Sequence, residues 1–225
     1  MSDASEYEFE PVRGLPEALP AGESMLWQGE PDAAALARRA FHVRAVAIYF
    51  GLLVAWRLAA GVADGEPFGT TIVAALWLAA LAAAAVGVLV ALAWFTARTT
   101  VYTITTRRIV IRFGIALPMT VNIPFRIVAS AGLKRYPDGN GDIPLVLVPG
   151  ERLGYLLMWP HARPWRIARP EPMLRGIAHV AVVARLLAGA LAAAANQPVA
   201  RIADGRVDES PAPRPALDAV ATASR

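Results

Sequence analysis

Two long apolar runs constrain this chain more than any other feature of its sequence. Residues 45–62 carry one charge, Arg57, and residues 68–97 carry none. The first run has 18 residues, which as a helix rise about 27 Å, close to the ~30 Å hydrocarbon core of a bilayer. Residues 63–67, between the runs, are acidic and contain Gly and Pro, as in a tight turn. The sequence therefore predicts a transmembrane helical hairpin with spans at residues 45–62 and 69–95.

The composition agrees with a small membrane protein that also has a globular part. Hydrophobic residues make up 56% of the 225 and charged residues 18%, and the mean hydropathy is +0.43. These values argue against a disordered chain and against an ordinary soluble globule. No cysteine is present, which excludes disulfides, thiolate metal sites and a cysteine nucleophile. The net charge of +4 would suit nucleic acid or anionic lipid; beside two spans we expect membrane lipids as partners and no nucleic acid.

Basic residues flank the two runs on the same side. Cytoplasmic segments of membrane proteins are enriched in Arg and Lys, so we expect both termini in the cytoplasm and the loop at residues 63–67 on the opposite side. The flanking residues that we expect at the membrane surface are Arg38, Arg39, Arg44, Arg107 and Arg108.

Two details of the hairpin leave alternatives open. Arg57 either snorkels to the interface beside Trp56 or forms an intramembrane ion pair or a substrate contact, and we favour snorkelling. Small residues recur every four positions in both spans, either by chance in Ala-rich helices or as faces for close packing within the hairpin or in a homodimer. They are Ala47, Gly51, Ala55 and Ala59 in the first span and Ala75, Ala79, Ala83, Gly87 and Ala91 in the second.

The chain before the first span divides into two parts. Residues 1–31 are rich in Pro and Gly and are expected to be partly irregular. Residues 32–44 predict either a short interfacial helix, N-capped by Asp32 and running into the span, or a simple basic flank that sets the topology. We give the two interpretations equal weight.

From residue 98 the pattern changes from helical to β. Short β-branched and aromatic runs alternate with turn signals, and they predict strands near residues 101–104, 109–113, 115–123, 127–135, 143–148 and 153–158. A meander of short strands needs a cover for its apolar face, so we expect a helix after Pro172 that runs to about residue 195. The alternative, a third span over residues 177–195, is less favoured. Residues 196–225 are expected to form a disordered tail.

No catalytic motif stands out. The glycines form neither a P-loop nor a dinucleotide fingerprint, and Ser130 lacks the G-x-S-x-G context. No two of the three histidines have metal-ligand spacing. We therefore expect neither enzyme activity nor a metal site.

The segment WPHARPWRIARPEP, residues 159–172, is the strongest candidate for a binding surface. Tryptophan and arginine are enriched in binding hot spots, and the prolines lower the cost of ordering the segment. The candidate protein-binding residues are Trp159, His161, Arg163, Trp165, Arg166 and Arg169. The alternative is a proline-rich connector with buried tryptophans; we weigh the two equally for Trp165 and favour burial for Trp159.

A series of strands followed by one helix resembles a bacterial pleckstrin-homology (PH)-like domain. The segment ESMLWQGEP, residues 23–31, and the segment YTITTRRIV, residues 102–110, resemble elements that lie before and after the spans of membrane-bound bacterial PH-like proteins. The resemblance implies an α+β membrane protein. Its parts would be a transmembrane helical hairpin and a cytoplasmic PH-like antiparallel β domain, residues 98–195, capped by a C-terminal helix.

A more specific resemblance covers roughly residues 6–190. Residues 8–17 running on to Trp27, residues 39–50 and residues 159–175 resemble the photosynthetic complex assembly protein family PuhB of purple phototrophic bacteria. This resemblance implies a homodimeric scaffold of the inner or intracytoplasmic membrane. It would help to assemble the subunits or pigments of the photosynthetic reaction centre, alone or with the light-harvesting 1 antenna. The alternative is a PH-like lipid- or protein-binding membrane module unrelated to photosynthesis.

An assembly factor for a pigment–protein complex gives His42 a second interpretation. A neutral imidazole at the cytoplasmic mouth of the first span could ligate the magnesium of a bacteriochlorophyll. We favour an interfacial histidine in a basic flank, and we expect no bound cofactor.

Overall fold

The computed structural model describes residues 13–150 and 154–195. Its helices are α1 (Ala33–Arg39), α2 (Val43–Ala63), α3 (Phe68–Thr99), α4 (Tyr155–Met158) and α5 (Val180–Ala194). Its strands are β1 (Met25–Gly29), β2 (Val101–Thr105), β3 (Arg108–Phe113), β4 (Met119–Pro124), β5 (Val128–Ala131), β6 (Lys134–Arg135), β7 (Gly141–Leu147) and β8 (Met173–Ile177). The predicted tail, residues 196–225, and the start of the N-terminal segment, residues 1–12, lie outside the described residues.

The two long helices, α2 and α3, pack against each other as a hairpin. Each contains an 18-residue window that is apolar enough to cross a membrane, and only 6% of each window is buried. Both helices are therefore candidate membrane spans by length and composition. They extend beyond the predicted limits of residues 45–62 and 69–95, because no helix-breaking residue lies in the flanking turns.

The loop end of the hairpin is closed by an ion pair. The Arg57 guanidinium lies 2.7 Å from the Glu66 carboxylate, and the Thr71 hydroxyl donates to the same carboxylate at 3.3 Å. Arg57 thus reaches toward the loop end of the hairpin, as the preference for snorkelling predicted, and it meets a carboxylate of the short loop there. Gly61 permits the close approach, since a Cβ there would lie 2.5 Å from Thr71 Cγ2.

Helix α1 joins the hairpin to the rest of the protein. The Asp32 carboxylate caps it by accepting from Ala35 N–H at 2.6 Å, as predicted. The helix does not run into the first span, because His42 adopts φ 53° and separates α1 from α2. The apolar side chains of α1 face protein rather than lipid. Leu36 of α1, together with Phe41 just after the helix, packs against the last turns of α3.

The first sheet has strand order β1-β2-β3-β4, and all of its neighbours are antiparallel. Its strands β2 and β3 confirm the runs predicted at residues 101–104 and 109–113. Strand β1 lies in the segment that was expected to be partly irregular. Its register places Trp27 opposite Ile104, so the sheet begins before the hairpin and resumes after it.

The second sheet has strand order β5-β7-β6, with β8 also paired to β7. Two predictions fail here. Of the run predicted at residues 153–158, the part that the structure describes is not a strand, since Tyr155–Met158 is one helical turn. The segment after Pro172 is not a helix, since Met173–Ile177 is strand β8. Tertiary pairing with β7 decides the second case, because β7 offers an open edge to this buried segment.

Helix α5 covers the sheets, as the favoured interpretation predicted, but it begins at Val180 rather than just after Pro172. Its buried side chains Val183 and Leu187 join the same core as Ile143. A membrane span needs about 20 apolar residues, and α5 has 15 with one face already buried in the domain. The described residues therefore contain two candidate spans and not a third.

The contact between α1 and β8 depends on Gly176. This glycine has φ +62°, and a Cβ there would lie 3.3 Å from Asp32 N. Its carbonyl accepts from Asp32 N–H at 2.8 Å. A side chain at this position would therefore strain the backbone and push α1 away.

We expect Gly176→Ala to lower the free energy of unfolding by about 1–3 kcal/mol, because the left-handed backbone and the close neighbour act together. Gly189→Ala is the matched control. Gly189 lies inside α5 with nothing within 4 Å of its Cβ position, so alanine there should stabilise the protein by about 0.5–1 kcal/mol. Thermal unfolding of both variants in detergent measures the difference. Equal stability of the two variants would contradict the proposed α1–β8 contact.

Candidate binding site at the tryptophan loop

The tryptophan loop, which we define as residues 159–171, is closed at its base. Ala162 and Pro172 form an isolated antiparallel β-bridge. The Arg163 N–H donates to the Glu171 carbonyl at 2.9 Å. Because these contacts join the two ends, the intervening residues form a loop that is closed at its base.

A buried carboxylate contacts two of the three arginines of the loop. Glu171 is 8% exposed. It accepts a hydrogen bond from Arg163 Nη1 at 2.7 Å and lies 3.7 Å from Arg166 Nε. The short contact is a charge-assisted hydrogen bond, which is stronger and more directional than a neutral one. The loop therefore holds Arg163 in place and keeps Arg166 at its rim.

The two tryptophans of the loop lie at the surface. Trp165 is 92% exposed and adopts φ 64°, an uncommon conformation for a bulky residue. Trp159 is 49% exposed and stacks edge-on against Phe41, with ring centroids 5.3 Å apart. The preference for burial of Trp159 is thus wrong, because about half of its side chain is exposed. Strained backbone that presents an exposed tryptophan marks Trp165 as a binding candidate.

His161 does not belong to this surface, although the sequence grouped it with the loop. Its side chain is fully buried. The ring nitrogens lie 2.8 Å from the Tyr102 hydroxyl and 3.1 Å from the Thr100 hydroxyl. Burial, with a smaller effect of the Arg175 charge, lowers the pKa of His161 to about 3. A neutral ring is therefore a structural link between β2 and the base of the loop.

A basic cavity of about 770 Å³ opens beside the tryptophan loop. We call it the basic cavity. Its charged and aromatic lining residues are Arg38, Arg39, His42, Lys134, Tyr136, Asp142, Arg163, Trp165 and Arg175. They come from α1, the start of α2, the β6–β7 region, β8 and the loop, so only the folded chain brings them together.

One wall of the basic cavity is a polar network. The Tyr136 hydroxyl donates to Asp142 Oδ2 at 2.7 Å, and Gly176 N–H donates to Asp142 Oδ1 at 3.0 Å. Burial and the bond to Asp142 raise the pKa of Tyr136. The Arg39 guanidinium lies 3.5 Å from the centroid of the Tyr136 ring and bonds Asp138 at 2.7 Å. The network fixes Arg39 in the wall of the cavity.

All three loop arginines line a second cavity, of about 450 Å³. Arg163, Arg166 and Arg169 face residues 146–150 there. Of the predicted binding residues, Trp165 lines the basic cavity, Arg166 and Arg169 line the second cavity, and Arg163 lines both. Trp159 and His161 line neither cavity.

The arginines predicted at the membrane surface separate into two groups. Arg38, Arg39 and Arg44 lie just before or in the first turn of α2. Arg107 and Arg108 lie at the turn between β2 and β3, at the end of β2 remote from α3, and Arg108 pairs with Glu23 at 2.8 Å. Strand β2 rises about 16 Å over its length, so these two residues lie at the end of the sheet away from the spans.

Comparisons with known proteins place the chain in a family. Residues 40–191 match the bacterial PH domain family, and the chain belongs to that family. The chain is also 40% identical over 200 residues to an "Uncharacterized 23.7 kDa protein in puhA 5'region" of Rhodobacter capsulatus. That similarity covers 88% of this chain and 92% of the relative. No solved structure matches.

Sequence reasoning missed Arg175 and Lys134, which belong to the basic cavity. Arg175 lies in the run MLRGI, which was assigned to a helix. A single arginine between apolar residues next to a glycine was the available signal, because such an arginine needs a reason to be buried. Nothing in the sequence marked Lys134 as a site residue, because an exposed lysine near a turn is common in proteins.

Because burial keeps His161 neutral, acid should destabilise the folded chain. The unfolded chain takes up a proton at this histidine below pH 6.5, whereas the folded chain does so only near pH 3. We expect the free energy of unfolding to fall by up to about 1.4 kcal/mol per pH unit as the pH decreases through this window.

Nitrogen-15 NMR of the histidine-labelled protein in detergent should show a neutral His161 ring at pH 5, with free histidine in the same buffer as the reference. A His161 ring that becomes protonated together with free histidine would contradict the burial of this residue.

Proposed function

We propose that this chain is a membrane-bound assembly factor for the photosynthetic reaction centre, acting alone on that complex or also on light-harvesting 1. One observation carries the proposal. The Rhodobacter capsulatus relative, which matches 88% of the chain, is named for the puhA 5′ region, and the chain resembles the family PuhB over roughly residues 6–190. A gene in a puh region suits a role in assembling photosynthetic complexes.

The hairpin would anchor the PH-like domain. Helices α2 and α3 would cross the inner or intracytoplasmic membrane, and the positive residues beside α2 would keep the domain and both termini in the cytoplasm. The arginine-rich α1 lies at that same end of α2. The domain would then stand at the surface on which the cytoplasmic parts of membrane subunits are exposed.

The tryptophan loop would supply the contact with a reaction-centre subunit. Trp165 offers an exposed aromatic side chain on a tethered loop, and Arg166 and Arg169 add charge beside it. An assembly factor must release its client, so a small interface is sufficient. The proposed role is that of a scaffold and not of an enzyme.

Deletion of the gene in the source bacterium should lower reaction-centre absorbance and slow photoheterotrophic growth. The full chain should restore both, whereas Trp165→Ala should restore them only in part, because loss of a hot-spot tryptophan weakens binding by roughly thirtyfold. Val182→Ala is the control, since Val182 is an exposed apolar residue on α5, outside the loop. Unchanged absorbance and growth after deletion would rule out the assembly role and favour a membrane module unrelated to photosynthesis.

We also propose that two copies associate through the small-residue face of α2. Ala47, Gly51, Ala55 and Ala59 are all exposed, so packing of the hairpin does not use this face. Close approach of two helices along such a face is a common mode of association in membranes.

Gly51→Leu should raise the dissociation constant of the dimer by about tenfold, because the larger side chain separates the helices. Nothing lies within 4 Å of the Cβ position of Gly51 or of Gly87, so leucine fits either position in one chain. Gly87→Leu, on the other helix, is the matched control. Light scattering in detergent measures the association. A wild-type chain that is monomeric at all concentrations would contradict the proposal.

A further inference from the structure

Two arginines that line the basic cavity each have a buried guanidinium nitrogen without a hydrogen-bond partner. Arg39 Nη1 and Arg175 Nε are buried and unpaired among the residues that the structure describes. Arg175 is 7% exposed as a whole residue. Leaving a buried charged donor unsatisfied is unfavourable, so the guanidinium groups that carry these atoms are candidates for an acceptor that the described residues do not supply. Both arginines line the same cavity.

The charge of the basic cavity favours an anion. Five cationic side chains line it, namely Arg38, Arg39, Lys134, Arg163 and Arg175. Three carboxylates offset them: Asp142 in the lining, Asp138 beside the α1 arginines, and Glu171 beside Arg163. Two positive charges remain. The planar guanidinium groups suit a phosphate, which can accept several N–H bonds at once.

The position of the basic cavity indicates which kind of molecule would carry this phosphate. His42 in its lining is the residue immediately before α2. Six residues further along, Ile48 is 54% exposed, and it is followed by Leu52 at 66%. Six helical residues rise about 9 Å, which is comparable to the headgroup layer at one face of a bilayer. The cavity therefore opens at the level of the headgroups when α2 spans the membrane.

Trp165 supports the same placement. It lines the basic cavity and is 92% exposed, and tryptophan is enriched at the interface between lipid and water. A cavity of about 770 Å³ lies within the range of small-molecule sites and can hold a headgroup.

We propose that the basic cavity binds the phosphate of an anionic lipid headgroup in the cytoplasmic leaflet. The phosphate accepts hydrogen bonds from Arg39 and Arg175, and Arg38 and Lys134 form the charged rim. The acyl chains lie along the exposed apolar surface of α2. The proposal rests on the membrane placement of α2 and α3, and it is independent of the assembly role.

The test uses the full chain in nonionic detergent with phosphatidylglycerol labelled on an acyl chain, followed by fluorescence anisotropy. We expect unlabelled phosphatidylglycerol to compete about tenfold better than phosphatidylcholine, with an affinity that falls as salt is added. The double variant Arg38→Gln/Lys134→Gln should weaken binding about fivefold, since both side chains are exposed and each interaction is modest. Arg175→Gln should weaken it about tenfold or more, because its contact is buried.

The controls distinguish binding in the basic cavity from nonspecific attraction between anionic lipid and the positive charges of the protein. Arg185→Gln removes an exposed cation on α5, and Arg107→Gln removes one at the turn between β2 and β3. Both should change the affinity by less than about twofold. The rim variant keeps the test valid even if Arg175→Gln does not fold, which circular dichroism will show.

Four results would overturn the proposal. They are equal competition by phosphatidylcholine, unchanged binding in the rim variant, and an equal loss in the two controls. The fourth is displacement of the lipid by glycerol 3-phosphate or a polyglutamate peptide at concentrations no higher than those of phosphatidylglycerol itself. Glycerol 3-phosphate would then indicate a site for a soluble anion, and the peptide a site for an acidic protein segment. Lipid binding by a chain whose deletion leaves photosynthesis unchanged would separate this proposal from the assembly role.

Discussion

The seating of helix α1 between α3 and β8 is the contact on which the rest of the arrangement depends. Leu36 of α1 and Phe41, just after the helix, pack on the last turns of α3, and the N-cap residue Asp32 bonds the Gly176 carbonyl of β8. One short helix thereby fixes the apolar hairpin relative to the second sheet. The basic cavity exists because α1 brings its arginines to this position, opposite Arg175.

A buried polar link joins the two sheets to the tryptophan loop. The Tyr102 hydroxyl of β2 accepts from Arg175 N–H of β8 at 3.1 Å and also bonds His161 at the base of the loop. Buried polar groups of this kind are favourable only when they are paired, so they specify one relative position of the three segments. The loop can therefore present Trp165 in a strained conformation, because its base is held by hydrogen bonds, a β-bridge and an ion pair.

The sequence predicted the elements with strong local signals and missed those that depend on distant partners. The hairpin and strands β2 and β3 were found because long apolar runs and β-branched residues act locally. Strand β1 was missed, since its pairing partner β2 lies more than 70 residues away. Strand β8 was read as helix because its short run MLRGI has no period of its own. Among the site residues, the loop was found as a unit, but the burial of His161 was not.

The sequence by itself determined that this chain has two apolar helices of membrane-spanning length, a β-rich part with a covering helix, and a tryptophan- and arginine-rich segment. These features follow from composition and periodicity, which act over a few neighbouring residues. Only the tertiary structure decided which polar groups are buried, which arginines share a cavity and which tryptophan is exposed. Residues from α1, β8 and the loop meet there only because packing brings distant segments together, and no local pattern encodes that meeting.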